Sequence, residues 1–185
     1  MEITDGAHQE EKRRGPSLVW LATGAIVILV MALLVYSLSS QPGSAPRVGD
    51  PVPGFQLTAL DGSSMDLASQ RGNVVVINVF ASWCDPCRQE AADLEQVWRT
   101  YQDKGVQFFG IAYKDAESKA QAFLDEFDVS YPSTVEPGNR TARAYGLTGV
   151  PETFVVDQQG ELAHHFLGPI TQAQLIDEIE PLLGE

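Results

Sequence analysis

Cysteine is scarce in this chain, with two among 185 residues. Two cysteines cannot build a multi-bridge secreted scaffold, nor a zinc site made of cysteine alone. Basic residues are also few, 12 Lys+Arg against 25 Asp+Glu, for a net charge of −13. Phosphate binding needs a basic face, so that balance argues against a nucleic-acid partner. Histidine occurs only at His8, His164 and His165. No internal repeat or low-complexity block follows residue 47. What remains is ordinary: 44% hydrophobic and 20% charged residues fit a globular protein rather than a disordered one. The length suits one compact domain, usually ~100–200 residues, plus an appendage.

Charge is missing altogether from Leu18 to Leu38 (LVWLATGAIVILVMALLVYSL). At ~1.5 Å per residue this run reaches roughly 31 Å as a helix, enough to cross a bilayer core. Lys12, Arg13 and Arg14 precede it, and no positive charge follows until Arg47. The positive-inside rule then leaves residues 1–17 as a cytoplasmic tail and sends the rest outward. The expectation is a single-pass protein of the cytoplasmic membrane, N-terminus inside, with its domain on the extracytoplasmic (periplasmic) side. A cleaved signal peptide competes. Its apolar region normally runs ~7–15 residues before small residues, which Ser37 to Ser39 offer here. Both readings export the domain.

Residues 39–47 (SSQPGSAPR) are rich in Ser, Pro and Gly and read as a flexible linker. The domain of residues 48–185 follows, and from Arg47 onward 9 basic and 21 acidic residues leave −12 of the net charge. Its pattern alternates. Phe55–Leu60 and Ser64–Leu67 flank Asp61-Gly62 as a hairpin. Val74–Phe80 (VVVINVF) is a near-continuous apolar run, as expected of a strand covered on both faces. Helical spacing marks Asp85–Asp103, Ala116–Phe127, a turn near Thr141–Tyr145, and Thr171–Leu183. Val106–Tyr113, Ser133–Val135, Thr153–Val156 and Leu162–Phe166 read as further strands. Interleaved strands and helices closed by a hairpin and a helix predict an α/β three-layer sandwich.

The segment with the most chemistry is Ala81-Ser82-Trp83-Cys84-Asp85-Pro86-Cys87-Arg88-Gln89-Glu90, where a buried strand gives way to a helix. Cysteines three apart in a first helical turn lie ~5–6 Å apart at Cα, within disulfide range. Cys84 falls at the helix N-terminus, where free N–H groups and the dipole favour a thiolate. Cys87 lies a turn further in, more shielded, as the resolving thiol. Zinc needs two more ligands, and His164 and His165 are adjacent on a strand, where neighbours point to opposite faces. An inert disulfide at this spacing closes almost no loop and stabilises little. A working redox pair is the favoured alternative.

Trp-Cys-x-x-Cys after a buried strand resembles the active site of the thioredoxin fold. Phe80 to Glu90 is similar to the membrane-anchored TlpA/ResA/CcmG family of thiol–disulfide oxidoreductases. Gly146-Leu147-Thr148-Gly149-Val150-Pro151-Glu152-Thr153-Phe154-Val155-Val156-Asp157 resembles its CcmG (DsbE-type) branch. The resemblance covers about Val48 to Glu185 and implies a thioredoxin-like sandwich with an N-terminal β-hairpin extension. It places Pro151 at the cis-proline facing the cysteines. It puts the Val150 backbone where an extended substrate pairs by strand addition, with Trp83 also on the substrate side. Glu90 takes the acidic position near the pair, as a proton acceptor or donor for Cys87. Asn78 stands where thioredoxin carries a buried acid.

The residues between the cysteines tune the potential. Asp85 puts a negative charge beside Cys84, and no basic residue joins Asp85 and Pro86 between the cysteines. Like charge disfavours the thiolate, and a less stabilised reduced form makes a more reducing pair. Arg88 counts against this unless it points to solvent. The resemblance implies a reductant of apocytochrome c, or of its maturation partners, resupplied by an integral-membrane thiol donor of the CcdA/DsbD type. No bound cofactor and no metal are expected. The rivals are a reductant of other exported proteins, a peroxidase, which the Cys-x-x-Cys placement disfavours, and a non-catalytic metal-delivery module using His164 and His165.

Overall fold

The computed structural model describes residues 18–39 and 45–184; the expected tail and most of the linker lie outside the described residues. The N-terminal helix and the domain form separate units. Helix α1 runs Leu18–Ser39, 22 residues with no charged side chain. Among residues with described side chains, no helix is long and apolar enough to cross a membrane, so the expected span remains an inference from the sequence.

The domain is built on a five-stranded sheet in the order β5-β4-β3-β6-β7. Its strands are β3 (Val74–Phe80), β4 (Val106–Ala112), β5 (Ser133–Val135), β6 (Glu152–Val156) and β7 (Leu162–Leu167). The β3, β4 and β5 strands run parallel, while on the other side of β3 strand β6 pairs antiparallel with β3 and β7 pairs antiparallel with β6. Every residue of β3 is buried, because it is central and covered on both faces. Val74 and Val76 face helix α2 (Asp85–Tyr101) through Leu94, Val97 and Trp98, and helix α5 (Gln172–Leu183) through Leu175 and Ile179. Val75, Ile77 and Val79 face the opposite way, onto Met65, Leu67 and Tyr145. Helix α3 (Glu117–Glu126) packs at the strand ends, with Phe123 stacked on Phe80 at 5.0 Å between ring centroids.

The second cover is the N-terminal hairpin of β1 (Gln56–Thr58) and β2 (Ser64–Asp66), helped by the short helix α4 (Arg140–Ala144). The expected hairpin extension thus forms one layer of the sandwich. It is shorter than its sequence pattern, because Asp66 accepts from the Ala68 N–H at 3.0 Å and starts a 3-10 turn over Leu67–Gln70. Helix α2 also stops early: Gln102–Lys104 tighten into a 3-10 turn, and Gly105 takes φ 84° to end it. Only glycine adopts that left-handed backbone without strain. Helix α5 opens on a capping box, in which Thr171 accepts from the Gln174 N–H and the Gln174 side chain accepts from the Thr171 N–H.

Candidate active site

The chain leaves the top of β3 at Phe80 and enters α2 five residues later, so the redox loop is short and fixed at both ends. Cys84 is the N-cap of α2, and its sulfur accepts from the Cys87 N–H at 3.2 Å. The two cysteines form a disulfide with their Cα atoms 5.3 Å apart. Cys87 is the more enclosed, 1% exposed against 5% for Cys84. In the reduced form the same N–H would steady a Cys84 thiolate, with the helix dipole adding to it. Asp115, in the loop after β4, accepts from the Ser82 N–H at 2.6 Å and the Ser82 hydroxyl at 2.9 Å. Trp83 stands out into solvent, 59% exposed, with its indole N–H 3.4 Å from the Lys114 carbonyl.

Facing the cysteines is the segment before β6. The Val150–Pro151 bond is cis, and the Val150 carbonyl oxygen lies 3.5 Å from Cys84 Sγ. The Val150 N–H has no partner among the described residues. One helical turn past Cys87 on α2 lies Glu90, 2% exposed. Its carboxylate accepts from Asn78 Nδ2 at 2.8 Å and from the Ile170 N–H at 2.9 Å. Burial pushes its carboxyl up to about 7, against the opposing pull of the Ile170 and Asn78 hydrogen bonds. A carboxyl titrating there can hold or release a proton near neutrality.

Residues 47–180 match the Redoxin family. The chain belongs to that family. It is 36% identical over 164 residues to the thiol:disulfide interchange protein DsbE of Allochromatium vinosum, covering 86% of this chain and 89% of that one. It is 26% identical over 166 residues to the thiol-disulfide oxidoreductase ResA of Halalkalibacterium halodurans, covering 89% and 94%. A solved thioredoxin-family thiol:disulfide interchange protein of Chlorobium tepidum superposes with a TM-score of 0.69 at 29% identity, covering 76% of this chain and all of that one. The fold of this redoxin is therefore thioredoxin-like, and the chain is a thiol–disulfide oxidoreductase of the TlpA/ResA/CcmG kind.

The structure packs Cys84, Cys87 and Val150 together, and buries Glu90 against Asn78 one helical turn past Cys87. Asn78 does more than replace an acid: its amide spans Glu90 and Thr153 Oγ1, the latter at 3.0 Å, and so orients the Glu90 carboxylate. Asp85 and Pro86 form the exposed start of α2. Arg88 does not simply point to solvent. It pairs with Glu126 of α3 and lies over the Phe127 ring at 4.9 Å, so α3 takes up its charge. The two histidines are engaged separately, His164 with Glu178 at 3.3 Å and His165 with Glu152 at 2.8 Å. Among the described residues no group of three or more His, Cys, Asp or Glu side chains is placed to hold a metal ion.

Two residues that brace the segments around this redoxin site went unpredicted, Asp115 and Glu152. Asp115 carries a local signal, since an aspartate just ahead of a helix commonly accepts from backbone N–H groups there. Glu152 carries none, because strand residues before an apolar run read simply as sheet.

Proposed function

We propose that this redoxin is a membrane-anchored reductant working outside the cytoplasm on disulfides of apocytochrome c, or of the proteins that prepare it for haem attachment. The observation that carries this reading is the charge around the pair. A buried carboxyl that titrates near 7 sits one helical turn past Cys87, Asp85 is in the first turn, and the cation next to Cys87 in sequence, Arg88, is tied to Glu126. Like charges leave the thiolate less stabilised, which makes the pair reducing. The anchor rests on the uncharged run Leu18–Leu38, and its orientation on Lys12, Arg13 and Arg14.

An extended substrate strand pairs with the Val150 N–H, which has no partner among the described residues, and the exposed Trp83 offers an aromatic contact. The Cys84 thiolate attacks one sulfur of the substrate disulfide. That S–S bond breaks, a mixed disulfide forms, and the departing substrate sulfur takes up a proton. Glu90 then accepts the Cys87 proton, and the Cys87 sulfur attacks Cys84 Sγ. The second substrate sulfur leaves as a thiol, taking the proton from Glu90, and the pair ends oxidised. Two electrons have passed to the substrate, with one proton from Cys87 by way of Glu90 and the other from solvent. A membrane thiol carrier of the CcdA/DsbD type restores the dithiol, and no bound cofactor takes part.

Replacing the resolving thiol in the full chain, Cys87→Ala, should freeze the mixed disulfide on Cys84. Mass spectrometry of the adduct should find an apocytochrome c or a haem-attachment protein. Only unrelated exported proteins in the adducts would shift the conclusion to a general reductant. A Cys84–Cys87 potential near the roughly −120 mV of disulfide-forming catalysts would reject the reductant role.

A further inference from the structure

Glu152 carries charge in an enclosed place, at 1% exposure, and takes no part in the sulfur chemistry described above. Burial pushes its carboxyl up, yet hydrogen bonds from Thr148, His165 and Gly149 outweigh that and hold it below the usual range. One oxygen accepts from the Thr148 N–H at 2.8 Å, the Thr148 hydroxyl at 2.6 Å and the Gly149 N–H at 2.9 Å. The other lies 2.8 Å from His165 Nε2, which must donate to an ionised partner. His165 is itself fixed, its ring stacked on Phe154 of β6 at 4.1 Å. Three of the four donors thus belong to the two residues immediately before Val150.

A continuous line of contacts therefore runs from the sheet through His165 and Glu152 to Thr148 and Gly149. It ends at Val150, whose carbonyl oxygen lies 3.5 Å from Cys84 Sγ and whose N–H has no partner among the described residues. We propose that Glu152, oriented by His165, is a positioning residue that holds the 148–150 segment ready to pair with an extended substrate chain. It touches neither sulfur and acts through the segment it grips. This rests on Val150 being the residue a substrate strand pairs with. A group of this kind should govern how well a polypeptide disulfide binds, and leave the intrinsic reactivity of Cys84 alone.

The test compares two oxidants in single-turnover reactions of the pre-reduced full chain. One is a peptide carrying a Cys-x-x-Cys disulfide. The other is DTNB, a small aromatic disulfide with no backbone to pair. Glu152→Ala should raise the half-saturating peptide concentration about tenfold, as expected for losing hydrogen bonds to a charged group. Its maximal peptide rate, its DTNB rate and its Cys84–Cys87 potential should stay within about twofold of wild type. Glu152→Gln should recover most of the loss, because its carbonyl oxygen still accepts from Thr148 and Gly149. Thr148→Ala removes one donor from an exposed side chain and spares the core, so it remains informative where Glu152→Ala fails to fold; it should raise the half-saturating concentration about threefold. Equal losses on both oxidants, a shifted potential, or no rise with Thr148→Ala overturns the proposal. A wild-type chain that reacts with DTNB but never saturates with peptide removes the strand-pairing premise as well, whereas a saturable wild type with unaffected variants overturns the role of Glu152 alone.

Discussion

The side chain with the widest consequences is Glu90, since it links the chemistry of the site to the stability of the domain. Its carboxyl moves from 4.5 to about 7 on folding, chiefly by desolvation. Between those values the native state binds the proton and the unfolded state releases it, so stability falls as pH rises through that window. The full difference is about 3 kcal/mol, present below pH 4.5 and lost above pH 7. Glu90→Gln removes the titration, so urea denaturation of the oxidised variant at pH 5 and pH 8 should show a correspondingly smaller loss with pH. Equal pH slopes in the two proteins would reject a native Glu90 that titrates near 7. The residue's importance was visible from its place one turn past Cys87. Its partners were not, because Asn78 lies 12 positions away and Ile170 lies 80 away in the chain.

Elements divide into those that hold the site and those that only hold the fold. The loop from β3 to α2 depends on Asp115, which accepts from Ser82 twice and from the Ala116 N–H at 2.9 Å. Asp115→Ala leaves those donors unpaired at a cost of about 2 kcal/mol. It should also slow DTNB exchange, because the N-terminus of α2 loses its brace. The capping box of α5 stands apart from the cysteines. Thr171→Ala should cost about 1 kcal/mol in denaturation, while exchange rates remain at the wild-type value. Strand β3 was legible to the residue, since a central strand buried on both faces reads as an unbroken apolar run. The last turn of α2 was less so. Its apolar positions stop at Tyr101, and only backbone geometry decides whether the next three residues continue as α or tighten to 3-10.

For the whole molecule, the proposed topology makes the sharpest forecast. A phosphatase reporter active only outside the cytoplasm, fused after Glu185, should be active. Replacing Lys12, Arg13 and Arg14 with uncharged residues should lower that activity, because the positive flank sets the orientation. An inactive fusion of the intact chain would rule out the exported domain. The features settled by sequence alone are those encoded over one or two turns: the uncharged run Leu18–Leu38, the spacing of Cys84 and Cys87, the apolar period of the strands and helices. Neighbours in the chain stay neighbours in any fold, so such patterns survive without knowledge of the rest. Sheet order decided what lies against them. Because β6 runs antiparallel beside β3, Val150 reaches Cys84 66 residues away; because β7 follows β6, His165 meets Glu152. Burial then raised one carboxyl, Glu90, and four donors kept another, Glu152, ionised; that difference depends on which groups the sheet brings within hydrogen-bond reach, and no local pattern records it.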